Sequence, residues 1–219
     1  MSAPTCLSPK RSTTSSASSG AELSVSTARQ ALVLVGGCLV LGTGVAMLLT
    51  ADLGSDGWST MVNGVALSLG VSFWVVNAAV GLVFVAMAWW RGVRPGPGTV
   101  TQVLLVGVTV SVLLDAWDTP SGWPGRIVLL VLAFPVLAAG IAAYLGSNTG
   151  AGPTEAAALA WDPPIPFRWS YTAVQGGGAL IGWLLGATVG LGTVAVIVVL
   201  GPLVDLASRL MRLDLHQTR

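Results

Sequence analysis

Residues 30–50 read QALVLVGGCLVLGTGVAMLLT, and residues 51–58 continue as ADLGSDGW. A helix of about 20 apolar residues rises about 30 Å, the thickness of a hydrocarbon core. No charge interrupts the first of these stretches. Read as a membrane span, it sets the solvent for its surroundings: in lipid every backbone N–H and C=O must find a partner within the chain, so the fold class is all-α. Working outward, long apolar runs recur near residues 72–90, 100–114, 127–145, 171–187 and 194–210, each bounded by Gly, Pro or charge. The run at 59–69 is about half a crossing long and is expected as a re-entrant or interfacial helix. The expectation is a polytopic protein of six spans.

Composition agrees with a lipid environment. Hydrophobic residues make up 53% and charged residues 9%, with a strongly positive mean hydropathy, a balance a water-soluble domain of this length could not carry on its surface. The lipid bilayer is the partner this demands, and a net charge of +1 argues against nucleic acid. Residues 1–28 are rich in Ser, Thr and Ala and are expected as a disordered tail, with a short second tail at 213–219. Cys6 lies in the first tail and Cys38 in the first span, so neither a disulfide nor a metal site is expected. Val35-Gly36-Gly37-Cys38 is only loosely like a lipoprotein cleavage site, because the apolar run continues past the cysteine.

Short cytoplasmic loops collect Lys and Arg. Six crossings with the N-terminus inside put Lys10, Arg11, Arg29, Arg91, Arg94, Arg168, Arg209, Arg212 and Arg219 on the cytoplasmic side and leave Arg126 outside. Both termini are therefore expected in the cytoplasm.

The chain also repeats itself. A shift of 94 lays Trp89 on Trp183, Gly92 on Gly186, Gly96 on Gly190, Gly98 on Gly192, Thr99 on Thr193 and Gly107 on Gly201. A shift of 96 lays Gly44 on Gly140 and Gly54 on Gly150, bringing the turn at Asp56 opposite Gly152-Pro153-Thr154-Glu155. Each half, 29–118 and 124–212, reads as a long helix, a Gly-rich break, a short helix, a second span, a Gly-x-Gly-Thr turn and a third span. An odd number of crossings makes the second half enter from the opposite side, which is the inverted-repeat architecture of many secondary transporters.

With Ala51-Asp52-Leu53-Gly54 followed by Trp58, Arg94-Pro95-Gly96-Pro97-Gly98-Thr99, Gly150-Ala151-Gly152-Pro153, and Gly182-Trp183-Leu184-Leu185-Gly186 running through Gly190-Leu191-Gly192-Thr193 to Gly201-Pro202, the chain resembles the YczE/YyaS/YitT family of bacterial integral membrane proteins. The resemblance covers about residues 32–206 and implies a multi-pass protein of the bacterial plasma membrane; it names no substrate. The family's first turn usually carries Pro-Trp-Asp, where this chain has Gly57-Trp58-Ser59. Its second turn usually has an acid two places after the proline, the position of Glu155.

Broken helices at a repeat interface expose backbone groups that can coordinate a solute. The motif residues are Gly54, Gly98, Thr99, Gly150, Gly152, Pro153, Gly192 and Thr193, whose plainer role is tight turning in the headgroup region. Candidate solute-binding side chains are Asp52, Asp56 and Trp58 at the first break, Asn148 and Glu155 at the second, and Asn63, Asn77 and Gln175 in apolar surroundings. Each has a structural counterpart: Glu155 as a helix-start acid, the aspartates as solvated turn residues, and Asn63, Asn77 and Gln175, with Gln102, as interhelical glue, polar lining of a central cavity being the alternative for these four amides. Asp205 and Arg209, spaced i to i+4, are expected as an ion pair. Gly178, Gly182, Gly186 and Gly190 form a four-residue stripe suited to internal packing or to a homodimer. The nine tryptophans gather near span ends, as interface anchors do.

His216 is the single histidine, and neither a metal-spaced Cys/His cluster nor a phosphate-cradling loop occurs. No cofactor is expected and an enzyme is disfavoured. The expected function is a small secondary transporter or exporter of a small organic solute, coupled to a proton or ion gradient with Glu155 as the coupling acid. A non-transporting scaffold for a membrane or cytoplasmic partner is the alternative.

Overall fold

The computed structural model describes residues 16–150, 152–161, 164–165 and 167–211. Among them every regular element is helical: α1 (Ser16–Ala51), α2 (Gly57–Leu69), α3 (Phe73–Trp90), α4 (Pro97–Ala116), α5 (Trp123–Gly146), α6 (Pro153–Leu159), α7 (Phe167–Leu184), α8 (Leu191–Ala195) and α9 (Gly201–Met211), with a π-helical segment, Val196–Leu200, joining the last two. Helix α1 starts at Ser16, inside the stretch expected as a disordered tail, since extending an existing helix avoids the cost of a new nucleus. Cys6, His216 and the segment 213–219 lie outside the described residues, as does the Asp205 side chain and with it the expected pair to Arg209.

Among the described residues four helical segments are long and apolar enough to cross a bilayer: Ala28–Ala51, Phe73–Trp90, Pro97–Ala116 and Trp123–Gly146. A fifth results if Leu191–Leu200 and Pro202–Met211, bent by 46°, count as one; the π segment and Pro202 account for the bend. The span expected at 171–187 is α7, which begins four residues earlier at Phe167 and ends at Leu184, where Gly186 turns the chain with φ 94°. It falls outside the spanning set because Arg168, Gln175 and the run Gly176-Gly177-Gly178 dilute its apolar character. Leu82, Val83, Val128, Val131 and Leu132 are more than half exposed on α3 and α5, an apolar surface suited to lipid.

Helices α1 and α5 form the centre. Gly44 of α1 opens onto Leu137, and Gly140 of α5 opens onto Leu41; a Cβ added there would come within 2.7 Å and 2.5 Å of those residues. Leu41 and Leu137, like Gly44 and Gly140, are 96 positions apart. The chain leaves both helices in the same way: Asp52 (φ 51°) and Gly54 (φ 104°) after α1, Asn148 (φ 55°) and Gly150 (φ 133°) after α5. Asp, Asn and Gly are the residues that tolerate this left-handed backbone. Gly92 (φ 93°) and Gly186 (φ 94°) match at the shift of 94.

The breaks are tied crosswise. The Gly192 N–H donates to Leu53 C=O at 2.8 Å, and the Gly98 N–H donates to Thr149 C=O at 3.0 Å. The glycine stripe is partly consumed inside the molecule: Gly178 faces the Gly57 carbonyl and Gly182 the Thr60 carbonyl, seating α7 on α2. Gly186 and Gly190 lie past the end of α7, so the expected four-glycine helical face stops at Gly182.

Candidate functional site

The short helices define a cavity. Asp56 precedes α2, where its carboxylate accepts the Ser59 N–H at 3.0 Å and caps the helix. Gly152 caps α6 at the matching place, followed by Pro153 at the first helical position. Both helices are too short to cross a bilayer and turn back against α7 and α3 respectively. Between them and the α1–α5 pair lies a cavity of about 100 Å³.

Its lining follows the repeat. Leu41 and Leu137, Val45 and Ile141, Leu48 and Tyr144, Trp58 and Thr154, and Ser59 and Glu155 all line it and are 96 apart; Asn77 and Tyr171, and Val106 and Leu200, line it and are 94 apart. Within these pairs the chemistry is lopsided. The first half contributes Leu48, Ser59 and Asn77 where the second contributes Tyr144, Glu155 and Tyr171. Asp56 and Gln102 from the first half and Gln175 from the second also line it, so polar side chains reach the cavity from both halves.

A hydrogen-bonded chain holds the wall. The Trp58 backbone N–H donates to Gln175 Oε1 at 3.0 Å, and the Trp58 indole N–H donates to Asn77 Oδ1 at 2.9 Å. Asn77 Nδ2 in turn donates to Val103 C=O at 2.7 Å, and Gln175 Nε2 donates to the Tyr171 hydroxyl at 3.0 Å. Phe84 meets the Trp58 ring edge-on, with centroids 5.1 Å apart. The indole is therefore fixed at both its polar and its apolar edge.

Opposite it, Glu155, Gln102 and Tyr144 converge on Gly152. A Cβ added to that glycine would lie 2.5 Å from Glu155 Oε2 and 3.1 Å from both Gln102 Oε1 and the Tyr144 hydroxyl. Thr154 Oγ1 donates to Glu155 Oε2 at 2.8 Å, Tyr144 donates to Gly150 C=O at 3.1 Å, and Gln102 Oε1 is buried without a partner. Asp56 and Glu155 sit in the breaks between spans. Burial pushes the Glu155 carboxyl above its ordinary range and the Asp56 charge adds to this, while the Thr154 hydrogen bond opposes it. Burial likewise raises Asp56, against the pull of its hydrogen bonds from Ser59. Among the described residues, those lining the cavity include no Lys, Arg or His.

Of the side chains singled out in the sequence, Asp56, Trp58, Asn77, Glu155 and Gln175 line this cavity, and Pro153 joins them. Asp52 does not. It pairs with Arg126 Nη1 at 3.2 Å and accepts from the Thr188 hydroxyl, linking the first break to α5 and to the second Gly-rich turn. Asn63 lies in a separate small pocket with Asp52 and Thr188. Asn148 is a turn residue, left-handed because the chain reverses there, and its N–H donates to Leu145 C=O at 3.1 Å. Gly54, Gly98, Thr99, Gly150, Gly192 and Thr193 make the crossed contacts between breaks and turns, and Gly152, lacking a Cβ, leaves room for Glu155, Gln102 and Tyr144 to meet.

Tyr144, Tyr171 and Ser59 were not anticipated, whereas Gln102 was read as helix glue or, alternatively, as polar lining of a central cavity, and it does line the cavity. A signal existed for the first two: they are the only tyrosines in the chain, and each falls at the edge of an apolar run. From sequence such positions read equally well as interface anchors.

A family of unknown function, DUF6198, matches residues 28–209. An uncharacterized protein of Haemophilus influenzae is 26% identical over 174 residues, covering 76% of this chain and 77% of that protein. No solved structure matches. With its match running from the first apolar residues of α1 to the last turn of α9, the chain belongs to the DUF6198 family.

Proposed function

We propose that the protein is a small secondary transporter or exporter of a small organic solute, six spans folded as two inverted three-span halves, in the bacterial plasma membrane with both termini cytoplasmic. In this reading α7 and the bent α8–α9 unit complete the six. The solute binds between the halves and Glu155 carries the coupling proton. The observation that carries the proposal is the central cavity, whose lining residues fall into pairs at the repeat shifts while its two half-buried acids, Asp56 and Glu155, sit among polar and aromatic side chains. A site at a repeat interface is where rocking of one half on the other alternates access. The resemblance to the YczE/YyaS/YitT family supports the same architecture. The crossed hydrogen bonds between breaks and turns supply matched pivots at the two ends.

Two measurements test this. Cysteine-accessibility mapping should place the turn at 91–96 and the start of α7 on the cytoplasmic side and the 117–122 turn outside. Solute flux through proteoliposomes should be lost in Glu155→Gln protein that still inserts. A scaffold would give no flux with any solute and would co-purify with a partner. Gly178 and Gly182 are already packed against α2, which removes those two positions from a homodimer interface.

A further inference from the structure

The hydrogen-bonding capacity of the cavity wall is unevenly spent. The indole and backbone N–H groups of Trp58, one amide N–H each of Asn77 and Gln175, the Tyr144 hydroxyl and the Thr154 hydroxyl donate to protein acceptors. On the acceptor side, Gln102 Oε1 is buried with no donor at all, and two carboxyl groups share the space with no basic side chain among the described lining residues. An acceptor-rich wall is complemented by an N–H-bearing guest, and a buried carboxylate by a positive one. Arg91, the cation at the end of α3, is not available to supply that charge, because its Nε donates to Ala160 C=O at the far end of α6 and its guanidinium lies 4.5 Å over the Trp161 ring.

The aromatic content points the same way. Trp58, Tyr144 and Tyr171 all line the cavity, and ring faces attract cations most strongly where water is excluded. Size then limits the guest. The cavity of about 100 Å³ is smaller than the roughly 150 Å³ space that admits benzene in an engineered core, so only a handful of non-hydrogen atoms fit.

We propose that this cavity binds a small organic cation, a primary ammonium or guanidinium group on a compact body, between Asp56 and Glu155 with Trp58, Tyr144 and Tyr171 as its walls. The inference deepens the transport reading by naming the class of solute, but binding is separable from movement. On binding, the cation takes the place of a proton on the carboxyl pair: the O–H bond of one carboxyl breaks, the proton leaves to solvent, and the carboxylate pairs with the ammonium or guanidinium. Affinity therefore rises with pH. The titratable groups facing Glu155 are Asp56, Tyr144 and Tyr171.

The test is ligand-dependent thermal stability of the purified full-length protein in detergent, at matched ionic strength and at two pH values. The probes are methylguanidinium and ethylammonium, their neutral isosteres methylurea and ethanol, acetate, and sodium chloride alone. The expected result is a concentration-dependent rise in melting temperature with one or both organic cations, larger at the higher pH, and none with the neutral, anionic or sodium controls. Glu155→Gln and Asp56→Asn should each weaken it about tenfold or more, as loss of a buried charged partner does. The wild-type comparison of charged with neutral isosteres needs no variant to fold. Equal shifts from neutral isosteres or from sodium, or no shift with either cation, would overturn the proposal. Cation binding in a protein that moves no solute through liposomes would uphold the site and refute transport.

Discussion

The carbonyl of Leu53 accepts a hydrogen bond from the N–H of Gly192 at 2.8 Å, and 96 and 94 residues away the same bond is made by the opposite partners, Thr149 accepting from Gly98 at 3.0 Å. Each Gly-rich break is thus held by the Gly-x-Gly-Thr turn of the other half. Substituting the donor glycines should damage both ends alike. A Cβ on Gly192 would run into the Gly54 carbonyl, and one on Gly98 into the Thr149 side chain. Gly192→Ala meets rigid backbone and should cost about 1–3 kcal/mol, the usual range for overpacking. Gly98→Ala meets the Thr149 carbonyl carbon and Cβ, each at 2.9 Å, as well as the hydroxyl, so its cost falls in the same range. Melting temperatures of the two variants in one detergent check that the losses match.

Asp52 combines a left-handed backbone (φ 51°) with the ion pair to Arg126. Asn tolerates that conformation nearly as well as Asp and keeps an oxygen for Thr188, so Asp52→Asn should lose only the value of a partly exposed pair, about 1 kcal/mol or less. Asp52→Ala adds the backbone penalty of about 1–2 kcal/mol. A larger loss for Ala than for Asn, measured as melting temperature, identifies strain rather than charge as the main contribution of this position.

Trp58 donates its indole N–H to Asn77 Oδ1. Trp58→Phe keeps a ring against Phe84 but leaves a buried acceptor unpaired, at a cost of about 1–3 kcal/mol. Because the two residues share one bond, Trp58→Phe combined with Asn77→Leu should cost less than the sum of the single changes, which a double-mutant cycle reads directly.

Glu155 gives the protein a pH dependence of definite sign. Its carboxyl holds its proton to higher pH in the folded state than in the unfolded chain, so over the window from the ordinary carboxyl value up to the raised one the folded state binds more protons. Stability of the unliganded protein then falls as pH rises through that window. Asp56, raised in the same direction by burial, adds to the slope. Glu155→Gln should flatten the fall in melting temperature with pH; an unchanged profile would assign the titration to other groups.

How far the sequence foretold this can be judged residue by residue. The apolar run ending at Thr50 and the glycines of the breaks announce themselves, because span length and left-handed turns each demand particular residues. So do Asp56 and Glu155, acids flanked by Gly and Pro. Tyr144 and Tyr171 were missed because an aromatic at the edge of an apolar run carries no mark of which way it faces; in the fold both line the cavity. Asp52 was misplaced for a similar reason. It lies four residues before Asp56, but the break sends one carboxylate into the cavity and the other to Arg126, some 70 positions along the chain.

The central claim is that solute movement and a proton at Glu155 are coupled. The most direct measurement places the purified protein in liposomes enclosing a pH-sensitive dye and adds, in turn, small ammonium, guanidinium, amide and carboxylate solutes at fixed external pH, with protein-free liposomes run alongside to subtract passive permeation. The account predicts that one solute class, added outside, drives protein-dependent proton movement with wild-type protein, and that Glu155→Gln protein incorporated to the same level shows none. If no class moves protons beyond the protein-free control, or if Glu155→Gln behaves as wild type, the claim is contradicted.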